Sequence, residues 1–394
     1  MKDTLEKTKE IKNICINNKQ KGLLELTEKF DKVKLKTFFY QILNNIKVDE
    51  KLKESIIIAK DNIYKFHKSE YETLTSFEKN KIETSQGITC WKKFTPIENV
   101  GVYVPSKLFS SVLMNVIPAQ IAGCKNIIVC TPPNPSNEIL WTLNLLGIKQ
   151  IYTIGGAQAI FAMRYGIGEI QKVDKIFGPG NEFVDAAKRM VSNEVAIDMP
   201  AGPSEVLVIS DGANYYSIVN DLLAQLEHGK ESKAWLFCTN GEVIDMINED
   251  IRGIAANSSR WHILEHSLKN LVIKKVKNIN EAIEEANKIA PEHLILNVLN
   301  AEKYIDKIIN AGSVFIGRNT PESLGDYLSG TNHVLPTNGF AKSFSGLSVL
   351  SFGKFITFQI ATKDGLKSIS ENVKTMADAE GLEFHAKSVN RFEI

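Results

Sequence analysis

The sequence has no long apolar run, no excess of either charge and no paired-cysteine motif. No segment reaches the ~18 uncharged apolar residues that a membrane-spanning helix needs, and the charged residues 1–22 lack the apolar core of a signal peptide. Lys and Arg total 47 and Asp and Glu 46, for a net charge of +1. This balance gives no support to nucleic acid or an anionic membrane as a partner. We expect a soluble, cytoplasmic protein.

The five cysteines are widely spread and have no CxxC spacing. Some lie in apolar, strand-like runs such as residues 126–130. An odd number of scattered cysteines is atypical of a disulfide framework or a metal cluster, and fits buried thiols in a reducing compartment. These cysteines are Cys15, Cys90, Cys124, Cys130 and Cys238.

What the chain does contain is an alternation of strand-like and helical segments. With 394 residues, 43% of them hydrophobic, it can bury a sizeable core and form two or three domains of ~150 residues each. From Val100 onward, short β-rich runs alternate with helical segments in two series, over residues 100–198 and 206–316. The pattern predicts an α/β fold with two tandem doubly wound, incomplete Rossmann-like domains. A helical N-terminal region over residues 23–79 and a small C-terminal tail domain complete the prediction.

Two glycine-rich turns follow predicted strands, at residues 155–158 (GGAQ) and 178–181 (GPGN). Glycines there would let a ligand approach the backbone, and the amides of a following helix attract phosphate. The GxGxxG dinucleotide pattern is absent, so the turns indicate either a nucleotide site or simple connections.

Residues 320–337 (TPESLGDYLSGTNHVLPT) form the most informative stretch of the chain. It holds two carboxylates and a histidine among bending Gly and Pro residues, with no helical or strand period. A long polar loop in a compact domain is uncommon unless it is functional or disordered. We expect a functional loop and not a core element, with its chemistry around Asp326 and His333.

Two further clusters contain metal-ligand or acid–base side chains. Gln225 and His228 lie three residues apart, so they share one face near the end of a predicted helix and could bind one metal ion; a histidine interacting with the helix dipole is the alternative. Glu292 and His293 stand just before a strand, and an imidazole titrating near neutrality suits a general base. A solvated surface pair is the alternative for that cluster.

The other polar clusters lie at the domain junction and in the tail. Residues 198–205 form a Gly/Pro turn between the two α/β series, which indicates a ligand site or a rigid linker. Glu380 and His385 lie five residues apart around a glycine and indicate either a site pair or a surface tail. The combination of Gln, His, Asp and His is a mixed nitrogen and oxygen set that suits catalytic zinc. The remaining histidines, His67, His262 and His266, are expected at the surface.

Taken together, these clusters resemble those of histidinol dehydrogenase. The resemblance runs from about Val100 into the tail, and its order and spacing are far more specific than any one motif. The matching motifs are DMPAGPS at 198–204, QLEHG at 225–229, PEH at 291–293, the whole 320–337 stretch, SGLS at 345–348 and EGL at 380–382.

The resemblance implies a zinc-dependent, NAD-linked oxidation of L-histidinol to L-histidine, in two hydride transfers through an aldehyde. The residue matching His293 takes the alcohol proton, and the one matching Glu292 activates water for the second step. Ser204, His333 and Glu380 match positions that contact the substrate or line its site. Zinc, which anchors the substrate in that family, is held by the residues matching Gln225, His228, Asp326 and His385.

The resemblance also implies a cofactor site and an assembly. Tyr103, Gln158 and Asn181 match contacts to NAD, and the family forms a homodimer whose tail reaches the neighbouring subunit's site. The domains expected on this basis are a helical arm (1–22), an α/β domain with the zinc and catalytic residues (23–95 plus 206–345), a cofactor-binding α/β domain (96–205) and the tail (346–394).

One stretch departs from the family pattern. Where the family usually has Tyr-x-Pro-Gly-Gly before a helix, Tyr103-Val104-Pro105 reaches that helix about three residues sooner and without glycines. Two other interpretations therefore stay open: a related zinc- and NAD-dependent dehydrogenase of another amino alcohol or diol, and a non-catalytic homologue that retains zinc. Glu380 favours histidinol as the substrate.

Overall fold

The structure is a computed structural model that describes residues 2–200 and 202–390; Ala201 of the junction turn and the last four residues of the predicted tail domain lie outside the described residues. The strands are β1 (Phe39–Gln41), β2 (Ile82–Ser85), β3 (Ile88–Pro96), β4 (Asn99–Tyr103), β5 (Asn126–Thr131), β6 (Gln150–Thr153), β7 (Lys175–Phe177), β8 (Ala196–Ile197), β9 (Glu205–Ser210), β10 (Lys233–Cys238), β11 (Leu271–Lys275), β12 (His293–Asn297), β13 (Ser313–Ile316) and β14 (Gly353–Ala361). The α-helices are α1 (Lys2–Asp31), α2 (Glu50–Ser76), α3 (Phe109–Ala122), α4 (Asn137–Leu145), α5 (Gly156–Tyr165), α6 (Glu182–Val191), α7 (Tyr215–Leu226), α8 (Gly241–Ala256), α9 (Trp261–Ser267), α10 (Ile279–Ile289), α11 (Glu322–Tyr327), α12 (Lys363–Ala379) and α13 (Glu383–Ser388).

Two sheets with the same strand order organise the chain. The first runs β1-β6-β5-β4-β7-β8 and the second β11-β10-β9-β12-β13. All pairs are parallel except that of β1 with β6. Counted from β4 or from β9, each sheet has the order 3-2-1-4-5, which belongs to doubly wound α/β folds. The predicted fold class is confirmed.

Apolar side chains fill both faces of each sheet. Along β4, Val100 and Val102 join the core beneath α2, α3 and α4, whereas Tyr103 joins the core beneath α1, α5 and α6. This alternation follows from the two-residue period of a strand. The second sheet is covered in the same way, by α7, α8 and α9 on one face and α10 on the other.

The first hundred residues contain strands that the pattern did not predict. Residues 23–79 comprise the end of α1, the strand β1 and α2, and α1 consists of two helical segments that meet at a kink at Lys19. The strands β2 and β3 form an antiparallel sheet with β14 of the tail, in the order β14-β3-β2. The division of the chain into domains stays a prediction.

The link between the two large sheets determines where they meet. β8 ends at Ile197, at the carboxyl edge of the first sheet, and β9 begins at Glu205, at the amino edge of the second. The connecting residues span at most about 25 Å at ~3.5 Å per residue. Gly202 in this link packs against Asn338, whose amide nitrogen would lie 1.8 Å from a Cβ at that position. The carboxyl edge of one sheet thus adjoins the amino edge of the other.

Two expectations are wrong. Residues 320–337 are not free of regular structure, because they include α11, in which Glu322 and Gly325 are buried. Pro321 before the helix and an acidic first turn favour a helix start there.

His67 is not a surface residue but fully buried in α2, beside Glu70. Lys65 and Lys68 flank His67 in the sequence, but these lysines do not imply that His67 is exposed. In an amphipathic helix, neighbouring residues lie on different faces, and one face packs against the core.

The five cysteines are free; Cys15, Cys130 and Cys238 are buried and the other two half-buried. Within residues 2–200 and 202–390, no helix combines the length and apolarity required to cross a bilayer.

Candidate active site

The predicted acid–base pair lies at the amino edge of the second sheet. His293 is the first residue of β12 and pairs with Val206 of β9. Glu292 and His293 are 5% and 3% exposed, so they are not a solvated surface pair. Their position differs from the carboxyl edge at which open α/β sheets usually bind ligands. The junction turn runs from the carboxyl edge of the first sheet to Glu205, the residue whose backbone contacts both side chains.

The backbone N–H and C=O of one residue, Glu205, hold both side chains. The Glu205 N–H donates to Glu292 Oε2 at 2.8 Å, and the Glu205 carbonyl oxygen lies 3.1 Å from His293 Nδ1. Because a carbonyl only accepts hydrogen bonds, we assign the ring proton to Nδ1. Nε2 is then the basic nitrogen, and this atom is buried without a hydrogen-bond partner.

The Glu205 side chain is fixed in turn. Its Oε1 lies 3.2 Å from Lys233 Nζ, and its Oε2 accepts from the Asn338 N–H at 3.1 Å. Lys233 also donates to the Asn338 side chain at 3.0 Å. This network ties β9 and β10 to the end of the 320–337 stretch.

Gln225 and Asp326 reach the same place from two helices. Gln225, in the last turn of α7, is fully buried. Its amide faces the buried Glu322 carboxylate and, with the nitrogen turned towards it, donates to Oε1 at 2.5 Å. On α11, Asp326 Oδ1 lies 3.9 Å from His293 Nε2. The Asp326 carbonyl oxygen lies 3.1 Å from His333 Nδ1.

Burial shifts the pKa values of the acidic and imidazole side chains of this cluster. Desolvation lowers the pKa of His293 to about 3 and that of His333 to about 4. Desolvation raises the pKa of Asp326 to about 6. It also raises the pKa values of Glu292 and Glu322 well above the usual carboxyl value, with neighbouring carboxylates contributing. A cluster of acids and imidazoles with perturbed pKa values in a buried position is a candidate functional site.

Two of the other predicted residues border this cluster. His228 follows α7, with its ring partly open to solvent, and desolvation lowers its pKa. Ser204 directly precedes β9, is half-buried and accepts from the Lys233 N–H through its carbonyl oxygen.

The two tail residues lie apart from the cluster within one chain. Glu380 caps the end of α12 and His385 lies on α13; both are exposed. α13 packs against α12. In the described part of the chain, no group of three or more His, Cys, Asp or Glu side chains is arranged to hold a metal ion. One chain alone therefore does not assemble the predicted four-ligand set.

The predicted cofactor residues lie at the carboxyl edge of the first sheet. Tyr103 is 4% exposed, and its hydroxyl accepts from the Gly156 N–H at 3.1 Å. Gln158 is buried in the first turn of α5. Asn181 caps α6, where its side-chain oxygen accepts from the N–H groups of residues 183 and 184.

A buried ion pair supports the GPGN turn. Lys188 and Asp198 form an ion pair with both side chains almost fully buried. Asp198 Oδ2 accepts from the Gly178 N–H at 2.9 Å, and Lys188 donates to the Gly178 carbonyl at 3.1 Å. Gly178 has φ +111°, and a Cβ there would lie 2.0 Å from the Tyr103 carbonyl oxygen. A glycine is required at this close approach.

Sequence reasoning did not single out the residues that support the site. These are Glu205, Lys233, Glu322 and Lys188. A signal was available for Glu205, because a carboxylate in the otherwise apolar strand β9 needs a buried partner. No local pattern marks Glu322 as buried.

Comparison with known proteins decides the family. Residues 1–392 match the histidinol dehydrogenase family. The chain belongs to the histidinol dehydrogenase family. Its members are NAD-dependent oxidoreductases, and the match includes the N-terminal residues that the motif comparison had left out.

Individual relatives show how close the similarity is. The chain is 45% identical over 382 residues to histidinol dehydrogenase from Bacteroides thetaiotaomicron, covering 94% of this chain and 88% of that one. It is 43% identical over 385 residues to the Schizosaccharomyces pombe enzyme, covering 93% and 87%. The crystal structure of histidinol dehydrogenase from Elizabethkingia anophelis matches with a TM-score of 0.91 at 45% identity, covering 98% of this chain and 90% of that chain.

Proposed function

We propose that this chain is a histidinol dehydrogenase that oxidises L-histidinol to L-histidine with NAD, in two successive hydride transfers through an aldehyde, as the last step of histidine biosynthesis in the cytoplasm. The observation that carries the proposal is the juxtaposition of Glu292 and His293 on the backbone of Glu205, beside Gln225 and Asp326. An alcohol oxidation needs a base at the hydroxyl, and hydration of the aldehyde needs a second one.

In the first step His293 is the base. Its Nδ1–H donates to the Glu205 carbonyl, so Nε2 carries the free lone pair. The lowered pKa keeps the ring neutral before reaction. His293 accepts the alcohol proton at Nε2 while the carbinol C–H bond breaks and its hydride passes to the nicotinamide ring.

In the second step Glu292 is the base. Burial raises the pKa of the Glu292 carboxyl, and a carboxylate with a raised pKa is a stronger base towards water. Glu292 removes a proton from water as the oxygen adds to the aldehyde carbon. The second hydride then passes from the hydrated carbon to the nicotinamide ring of a second NAD, and the carboxylic acid that results releases its proton to leave the carboxylate of histidine.

We further propose a zinc site formed by Gln225, His228, Asp326 and His385. Their amide, imidazole and carboxylate donors fit zinc, and three of the four lie on or beside α7 and α11. When bound, zinc supplies an anchor for the imidazole and amine of the substrate. Ser204, His333 and Glu380 would complete the substrate-binding residues.

The position of His385, the fourth proposed zinc ligand, leads us to propose a homodimer. Glu380 and His385 are exposed on the tail, away from the cluster of their own chain. Apolar side chains are exposed beside them, with Met376 at 68% and Phe384 at 78%. Apolar surface of this kind is typical of an interaction site. We propose that the tail of each subunit completes the site of its neighbour.

The NAD site is proposed at Tyr103, Gln158 and Asn181. They lie at the carboxyl edge of the first sheet, at the crevice where doubly wound folds bind nucleotides. Between β4 and α3, Lys107 adopts φ +70°, a conformation that favours glycine. The shortened loop is thus formed without the glycines of the family pattern.

The direct test adds L-histidinol and NAD to zinc-loaded protein and follows NADH absorbance. We expect two equivalents of NADH and one of histidine per histidinol. Absence of NADH would reject the proposal. Reduction with another amino alcohol alone would identify a different substrate.

His293→Asn tests the role of the base. Asn can still donate to the Glu205 carbonyl, so the fold and zinc content should be unchanged, whereas turnover should fall by ~10²–10⁴-fold. Loss of zinc from this variant would show that the role is misassigned.

A further inference from the structure

Glu322 is a buried carboxylate to which the proposed mechanism gives no role. It lies in the first turn of α11 and is 1% exposed. Its nearest basic group is His293, whose Nδ1 lies 3.9 Å from Oε1 and already faces the Glu205 carbonyl. A carboxylate removed from water without a salt-bridge partner is costly unless hydrogen bonds compensate it.

The compensating hydrogen bonds come from Gln225. With its amide nitrogen turned towards Glu322, Gln225 donates at 2.5 Å to Oε1 and at 3.3 Å to Oε2. The opposite orientation would place the amide oxygen against two acceptor oxygens. In the favourable orientation the amide oxygen lies on the side away from Glu322.

We infer that Glu322 is a positioning residue that orients the Gln225 amide, so that its oxygen and not its nitrogen faces the proposed cation. The inference rests on the proposed role of Gln225 as a metal ligand. An amide nitrogen has no available lone pair, so only one of the two amide orientations can bind a metal ion. Outer hydrogen-bond partners of this kind orient metal ligands in proteins.

The first experiment measures zinc affinity of the metal-free full chain by competition with a chromophoric chelator. We expect Glu322→Gln to weaken zinc binding by ~10–100-fold. A matched control is Asp221→Asn. Asp221 is another buried residue, one turn before Gln225 on α7, and its side-chain carboxyl makes no hydrogen bond to the Gln225 amide. Equal losses in both variants would mean that negative charge, not amide orientation, sets the affinity.

The second experiment separates orientation from fold damage with a double-mutant cycle. Gln225→Glu supplies two equivalent oxygens, so its ability to bind zinc no longer depends on orientation. In that background Glu322→Gln should cause no loss of affinity, and relief of carboxylate repulsion should increase it. The same loss in both backgrounds would overturn the inference. If the unmodified protein binds no zinc, the proposed metal site itself fails, and this result is distinct from unchanged affinity in Glu322→Gln.

Discussion

At the residue scale, the site depends on main-chain groups that no sequence motif displays. The backbone N–H and C=O of Glu205 contact two side chains almost ninety positions away, because β9 and β12 are neighbours in the sheet. The identity of His293 as a candidate base could be predicted from its residue type and its place before a strand. Its tautomer and its buried Nε2 could not, since both depend on β-strand pairing.

Asp326 offers a metal prediction at this scale. Asp326→Ala removes a carboxylate donor from α11 without disturbing the contacts of its carbonyl with His333. We expect the purified variant to contain little zinc by elemental analysis. The exposed acid Glu302 provides the control, because Glu302→Ala should keep the zinc content of the unmodified protein. Full zinc occupancy in Asp326→Ala would reject this coordination.

His333 gives a pH prediction. Burial lowers the pKa of His333 to about 4, whereas an exposed imidazole titrates near ~6.5. The unfolded chain therefore gains this proton first, and the folded state loses stability as the pH falls from ~6.5 to ~4. By about pH 5 the loss due to His333 should approach ~2 kcal/mol.

The measurement compares metal-free protein with His333→Asn, which keeps an N–H donor for the Asp326 carbonyl. Urea unfolding at about pH 7.5 and about pH 5 gives the change in free energy for each. Between these two pH values, the free energy of unfolding should fall less in His333→Asn than in the unmodified protein, by ~2 kcal/mol. Identical pH dependence would mean that His333 titrates normally in the folded protein.

At the scale of elements, the predicted alternation of strands and helices over residues 100–198 and 206–316 is present in the structure. Buried parallel strands are short apolar runs bounded by turns, so the strand-like run at residues 126–130 predicted β5. β2 and β3 were not predicted, because β2 is exposed, β3 is mostly half-buried, and the partner of β3, β14, lies over 250 residues later. α11 was missed because a six-residue helix is too short to show a period.

The buried ion pair of Lys188 and Asp198, which supports the GPGN turn, leads to a prediction about stability and NAD binding. Lys188→Met leaves the Asp198 carboxylate buried and unpaired, and removes the donor to the Gly178 carbonyl. Breaking such a pair costs ~3–5 kcal/mol of folding stability. If the turn contacts NAD, the KM for NAD should rise much more than the KM for L-histidinol.

Lys172→Met replaces an exposed lysine of the same α/β unit and should change neither stability nor KM. The measurements are unfolding curves and steady-state kinetics of Lys188→Met and Lys172→Met. A Lys188→Met protein of reduced stability but unchanged KM for NAD would show that the pair supports only the fold.

At the scale of the whole molecule, the two parts of the proposed site belong to different environments of one chain. The cluster around His293 is buried at the amino edge of the second sheet, whereas His385 is exposed on α13. The sequence places both in one family pattern, but sequence order contains no information on which copy of the chain supplies which ligand. The exposed apolar residues near α13 favour a second copy of this chain as the partner.

Complementation between inactive subunits tests this arrangement. His293→Asn and His385→Ala should each abolish activity as homodimers. In a mixed dimer with tails acting in trans, the subunit that carries His385→Ala keeps its own His293 and receives His385 of the partner subunit, so one of its two sites is intact. Random co-assembly of two differently tagged chains should then recover about a quarter of the unmodified activity, and purified mixed dimers about half. Tails acting in cis would leave every site with one lesion and no recovery, because neither subunit would combine an intact base with an intact ligand.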